Sequence, residues 1–260
     1  MEKYIFITYI FIIGTVFGSF FNVCIFRIPN KESISNPQSY CYKCNNRLTY
    51  LDLIPILSWI LLKGKCRHCG QKISSRYPLI ELLTGILFII IYNVHGLNFI
   101  TINYLVLTSL LIIITFIDID YYIIPDSMII LGSIFELLFN LTNKGISIRN
   151  SIIGGVVCSG VMLILITLID LVVKKEVMGG GDIKLFFMIG LFLGLKLGLL
   201  TILLSIYAGA FYGIVTIIYS KIKKQEYNSI IPYGPFISVG AIISVLCGTN
   251  IINWYIDLFI

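Results

Sequence analysis

Along the chain, apolar positions gather into long unbroken runs instead of the alternating or every-third-or-fourth patterns of a soluble fold. Eight runs stand out, at residues 4–26, 78–95, 100–118, 127–141, 151–173, 183–196, 198–220 and 235–258. A helix needs about 20 apolar residues to cross the hydrocarbon of a bilayer. The pattern therefore predicts an all-α polytopic membrane protein with about eight transmembrane helices. The sixth run is short and Lys196 interrupts it, so seven spans with one re-entrant segment also fit. The first run is longer than a signal-peptide core and leads into Phe26-Arg27-Ile28-Pro29 with no small-residue cleavage site, so it is expected to be retained.

Composition sharpens this picture. The chain is 58% hydrophobic with mean hydropathy +0.96 and only 12% charged, where about 25% is usual for a soluble domain. A soluble globular enzyme is excluded, and membrane lipid becomes a partner. If the segment after the first run is cytoplasmic, fifteen of the nineteen Lys and Arg residues fall on the inside, and only Lys3, Lys144, Arg149 and Lys196 fall outside. That split predicts a multi-pass membrane protein with both termini outward. The net charge of +6 is then largely a topology device. Its spread over membrane-proximal loops, Lys175 and Lys224 among them, argues against nucleic acid as a partner.

The expected organisation is a first transmembrane helix at 1–26, a cytoplasmic loop domain at 27–77 between helices one and two, and a membrane-embedded domain at 78–260. The loop holds four of the seven cysteines as Cys41-Tyr-Lys-Cys44 and Cys66-Arg-His-Cys69. Two such pairs suit a closed tetrahedral zinc site, which braces a domain too small for a large core. Two disulfides are the competing explanation, but a cytosolic loop keeps its thiols reduced. His68 is expected to be a solvated neighbour, and Cys24, Cys158 and Cys247 to be small buried hydrophobes. Leu51 to Trp59 is apolar but too short to span, and suits a half-buried hairpin or helix.

Against so apolar a background, acids at membrane depth need an explanation. Glu2, Glu32, Glu176, Glu226 and Asp257 lie near ends or in loops. Asp118 and Asp120 close the third run, and being two apart they cannot share a helical face. Asp126 follows Pro125 and has the look of a helix N-cap. Met178-Gly179-Gly180-Gly181-Asp182 opens the sixth run; Asp182 has the same cap explanation, while three glycines let another backbone approach closely. Lys184 is expected to snorkel to the interface, and Glu81 to have a structural or substrate-binding part. The topology puts Asp118 and Asp182 at the same depth. Two facing carboxylates share a proton, and such a pair can activate water and polarise a peptide carbonyl, as in an aspartic protease. No serine triad, catalytic cysteine setting or open metal site competes.

These stretches, together with Gly18-Ser19-Phe20-Phe21-Asn22-Val23, Arg27-Ile28-Pro29 and Arg76-Tyr77-Pro78-Leu79-Ile80-Glu81-Leu82, resemble the bacterial prepilin peptidases, the membrane type IV leader peptidases of the GxGD type. The resemblance covers nearly the whole chain. It implies an aspartic endopeptidase that cuts the basic leader from prepilins and pseudopilins at the cytoplasmic face, with Asp118 and Asp182 as catalytic acids. It implies a second activity, N-methylation of the new N-terminus from S-adenosylmethionine; no glycine-rich nucleotide loop in the sequence points to where. Asp120, Asp126, Glu81 and Gly179, Gly180 and Gly181 are the candidates for receiving substrate, and Cys41, Cys44, Cys66 and Cys69 for zinc.

Three other readings remain compatible with the residues, one of them an intramembrane protease of presenilin type acting on other helices, for which the zinc loop would have no obvious use. An ion-coupled transporter would use Asp118 and Asp182 as proton sites, but at mid-span depth. A non-enzymatic assembly factor would work through the zinc loop and would tolerate loss of both aspartates.

Overall fold

The computed structural model describes residues 2–36, 38–142, 144–174, 179–223 and 231–258, and divides into two compact units, Met1–Leu97 and Asn98–Ile260. Lys175, Glu176, Met178, Lys224 and Glu226 lie outside the described residues. All the regular structure described is helical.

In the first unit, α1 (Glu2–Arg27) packs against α3 (Arg76–His95). Glycine permits the close crossing. A methyl group placed on Gly14 would lie 2.8 Å from the Gly85 Cα, and one on Gly18 would lie 2.7 Å from the Glu81 Cα. In a membrane, where lipid removes the hydrophobic drive between helices, such small-residue contacts are the main source of helix association. The loop between them carries a 3-10 turn at Tyr50–Asp52 and one short α-helix, α2 (Leu57–Leu61), the latter inside the apolar stretch read from the sequence. The unit boundary falls at residue 97, so α3 belongs with α1, whereas the sequence reading begins the second domain at residue 78.

The second unit contains α4 (Phe99–Tyr121), α5 (Asp126–Leu141), α6 (Ile148–Val173), α7 (Gly180–Lys223) and α8 (Gly234–Asp257). Among the described residues six helices, α1, α3, α4, α6, α7 and α8, are long and apolar enough to cross a membrane. The count differs from eight for two reasons. α5 has only 16 residues, and the sixth and seventh runs are joined in α7, 44 residues long. α7 is not straight: Gly194 has φ 69° and ψ −174°, a conformation outside the helix and open only to glycine. A methyl group on Gly198 would lie 3.5 Å from the Gly190 Cα. Eight residues of straight helix would separate these positions by about 12 Å, so the chain folds back at Gly194.

α6 packs on both arms of that bend. Gly154 and Gly190 meet backbone to backbone, and the Ser151 hydroxyl donates to the Leu191 carbonyl at 2.7 Å. α5 carries Glu136, which the apolar pattern does not single out. It is fully buried, and the Asn140 amide donates to its carboxylate at 2.8 Å.

Candidate active site and metal centre

α4 ends where Tyr122 adopts φ 56° and donates its N–H to the Asp118 carbonyl, which turns the chain out through Ile124 and Pro125. This last turn resolves the choice between the two neighbouring acids: Asp118 is 5% exposed, while Asp120 faces solvent. Asp182 lies in the first turn of α7 and is 8% exposed. The two carboxylates, 64 positions apart in the chain, are close enough for the charge of one to act on the other. α8 completes the site. The Gly234 N–H donates to Asp118 Oδ2 at 2.7 Å, and a methyl group at Gly234 would meet that oxygen at 2.8 Å. A side chain at position 234 would therefore push the Asp118 carboxylate aside, and Pro235 starts the helix with no N–H to satisfy. Beside it, the Tyr233 hydroxyl donates to Ser205 Oγ at 3.3 Å. Burial pushes the Tyr233 phenol up, so it stays a neutral donor next to Asp182.

The other acids are placed differently. Asp126 does not cap α5; Pro125 holds the cap position and Asp126 sits one residue inside, favoured there by the positive end of the helix. Its carboxylate pairs with Lys184 Nζ at 2.7 Å, both side chains being exposed, so Lys184 has a protein partner. Asp182 likewise lies inside its helix, its N–H donating to the Gly179 carbonyl. Gly181 packs on Ile124, Gly180 borders open space, and a methyl group on Gly179 would meet Asp182 Oδ2 at 3.9 Å. Glu81 belongs to the first unit, buried on α3. The sequence reading missed Gly234 and Tyr233; the Pro232-Tyr233-Gly234-Pro235 stretch was the signal available.

The four loop cysteines come together, all their sulfur atoms lying within 4.8 Å of one another. Cys41 and Cys66 start two matching turns. In one, Cys41 N–H donates to Asn46 and Asn45 returns to Cys41; in the other, Cys66 N–H donates to Gln71 and Gly70 returns to Cys66. Asn45 and Gly70 occupy the same place in each turn, and both have positive φ. The Cys41 and Cys69 sulfur atoms are 3.8 Å apart, the edge expected of a tetrahedron with bonds of about 2.3 Å. Backbone N–H groups of Cys44 and Lys43 hold the Cys41 thiol down at about 6, the form that binds metal. His68 is exposed and outside the cluster. Nearby, burial pushes the Asp52 carboxyl up, but hydrogen bonds from Thr49 and Arg67 outweigh it and hold the group below its ordinary range.

The fold and these groups define a class: an all-helical membrane protein with a buried aspartate pair in one unit and a four-cysteine loop in the other. Residues 12–95 match the bacterial peptidase A24 N-terminal domain, and residues 105–214 match the type IV leader peptidase family. A prepilin leader peptidase/N-methyltransferase of Aeromonas hydrophila is 33% identical, the alignment covering 99% of this chain and 96% of that protein. One of Bacillus subtilis (strain 168) is 36% identical over 96% of this chain and 97% of its own length, and one of Neisseria gonorrhoeae 33% over 94% and 93%. The chain belongs to the prepilin leader peptidase/N-methyltransferase family. No solved structure matches it.

Proposed function

We propose that this protein is a membrane aspartic endopeptidase that removes the basic leader of type IV prepilins and pseudopilins and then N-methylates the new N-terminus. The observation that carries the peptidase half is the Asp118 and Asp182 pair, buried at the ends of α4 and α7 with Gly234 N–H fixed on Asp118. Two carboxylates in such a setting hold one proton between them. The ionised member takes a proton from water as it attacks the scissile carbonyl; the protonated member polarises that carbonyl and then protonates the departing amine. The open backbone at Gly180 leaves room for an extended substrate strand beside Asp182. Exposed Asp120, and Asp126 by exchanging its partner Lys184, receive the basic leader.

The chain crosses the membrane eight times, with α5 and both arms of α7 as crossings. The fold-back at Gly194 supports this, and so does the distribution of Lys and Arg, which sets the aspartate ends and the cysteine loop on the cytoplasmic side. Zinc fits the four-cysteine cluster and leaves no open position, so it braces the loop and takes no part in hydrolysis. S-adenosylmethionine supplies the methyl group.

The test is cleavage of a prepilin-like peptide in detergent by wild type and by Asp118→Ala, Asp182→Ala, Asp120→Ala and Asp126→Ala. The first two should abolish turnover, and the last two should raise KM more than they lower kcat. Full activity in either of the first two defeats the assignment. A transporter would show no cleavage by wild type at all.

A further inference from the structure

We propose that the cysteine loop docks on the bilayer: residues 50–61 lie in the headgroup region as an anchor, and lysines beside them recognise anionic lipid. The partner is an anionic phospholipid surface, of which phosphatidylglycerol is the test case.

The first observation is where the apolar side chains of the loop point. Tyr50, Leu51, Leu57, Ile60 and Leu61 are all more than half exposed, Tyr50 by 90% and Leu61 by 79%. Leu57, Ile60 and Leu61 share one face of α2, at the spacing i, i+3 and i+4. Trp59 is on the opposite side, where its Nε1 donates to the Ile73 carbonyl at 3.1 Å and its ring fills the space beside Gly64. The short helix therefore turns its leucines outward. A contiguous apolar patch of this kind marks a surface that another apolar phase covers.

The patch is held open by its own hydrogen bonds. The Thr49 N–H and hydroxyl donate to Asp52 Oδ2 at 3.0 and 2.6 Å, and Arg67 Nε donates to Oδ1 at 2.7 Å. Ile56 is β-branched yet has φ 60° and ψ −52°, a conformation such residues avoid. Strain like this persists only where the surroundings over-determine it. Here it sends the Ile56 N–H to Glu81 Oε2 at 2.7 Å, while the Ser19 hydroxyl hydrogen-bonds the same carboxylate. The segment is thus clamped to α3 directly and to α1 through Ser19.

That clamp sets a depth. The 20 residues of α3 make a helix about 30 Å long, which matches the hydrocarbon core. Glu81 stands five residues after Arg76, about 7 Å along the axis. Amphipathic segments that lie in the membrane plane sit about 5 to 10 Å into the boundary between headgroups and acyl chains. Leu79 and Leu82, at the same height on α3, are also exposed, so the patch continues an apolar surface that lipid has to cover.

Charge fits the same partner. Residues 27–77 hold nine Lys and Arg against two acids, Glu32 and Asp52, and Asp52 is already paired with Arg67. Lys65 and Lys72 face each other across an antiparallel bridge, so both side chains leave the backbone on one side, and both residues are exposed. Like charges directly opposite repel, and among the described residues neither lysine has an acidic partner. A lipid phosphate supplies the missing negative charge. Lys63 and Lys65 come within four residues of Leu61, which sets basic groups at the border of the apolar face. The same excess of positive charge repels a basic leader, and a second copy of the chain would bring the same charge.

The experiment places the full chain in nanodiscs of phosphatidylcholine alone and of an equal mixture with phosphatidylglycerol. A trace of one lipid or the other carries a diazirine near its headgroup, and adducts are mapped by mass spectrometry. Hydrogen exchange of residues 50–62 is followed in the same discs without the probe. For wild type we expect adducts on residues 50–61, at least fivefold more from the phosphatidylglycerol probe, and exchange slower by about tenfold in the mixed discs. A single lysine at an anionic surface corresponds to a factor of about five. Leu57→Asp combined with Leu61→Asp should remove both the adducts and the slowing, while metal content and exchange of the Cys66 amide stay as in wild type. Lys65→Gln combined with Lys72→Gln leaves the apolar face intact; it should keep the adducts, bring the two probes within about twofold of each other, and serve if the leucine variant fails to fold. Wild-type adducts confined to α1 and α3 overturn the proposal, because protein and not lipid then covers the patch. Equal labelling by the two probes in wild type overturns it as well, and so does an unchanged preference in the lysine variant.

Discussion

The two units solve the same problem, holding a polar site steady in a mostly apolar chain, by different means. The first has only two long helices and a polar loop, and in that loop it gathers four cysteines, the Asp52 and Arg67 pair and the hydrogen bond from Trp59 Nε1 to the Ile73 carbonyl. The second places its two acids on two helices, α4 and α7, with α8 locking Asp118 and α6 gripping the bend of α7 through glycine contacts. The lesson is that a small loop depends on a few strong local links, whereas a helix bundle spreads its stability over many contacts. Damage should therefore be steep and local in the first unit and graded in the second.

The largest effect should come from the metal. Removal of zinc by a strong chelator, or Cys66→Ser, takes away a contribution on the order of 10 kcal/mol to folding of the loop. Limited proteolysis should then cut within residues 38–74 while α4 to α8 stay protected. Equal protection of the loop with and without metal would erase the contrast between the units. Next in size is chemistry. Asp118→Asn and Asp182→Asn should each lower cleavage by about 10³-fold or more, with thermal stability and zinc content unchanged; a parallel loss of zinc would mean that the units do not act independently.

Packing comes third. Gly190→Val places atoms against the Gly154 backbone and should destabilise the second unit by about 1 to 3 kcal/mol, seen as a lower midpoint in a detergent unfolding titration. The smallest effect is a pH dependence in the loop. Asp52 is held below its ordinary range in the folded protein. Its stabilising contribution is therefore present above the unfolded value of about 3.9 and is lost as pH falls through the lower folded value. Because Arg67 is half-exposed, the effect should stay under about 1 kcal/mol. Hydrogen exchange of the Thr49 amide should quicken at low pH in wild type and already be quick in Asp52→Asn.

Much of this was legible in order along the chain. Long apolar runs give helices because a lipid-exposed backbone must satisfy its own N–H and C=O groups. The paired CxxC spacing gives a four-thiolate cluster because each tight turn presents two sulfurs on one side. The two-residue offset of Asp118 and Asp120 already required that at most one of them face in. What could not be read was anything set by contacts between distant segments. The two runs that meet near Lys196 were legible as separate segments, but not that the break between them falls at Gly194. Glu136 hides inside an apolar run, and its burial depends on which face of α5 meets α4. Asp126 looks like a cap until Pro125 is seen to hold that place, freeing its carboxylate for Lys184.

The sequence by itself determined that this is a helical membrane protein, that its one long polar loop carries two pairs of cysteines at metal-ligand spacing, and which acids needed explaining, because each of those follows from composition or from spacing within a few residues. Only the tertiary structure decided that Gly234, 116 positions beyond Asp118, supplies the N–H that fixes it, and that a strained turn at Ile56 points its N–H at Glu81. A backbone donor carries no side chain to mark it in a sequence, and its aim depends on how helices far apart in the chain cross.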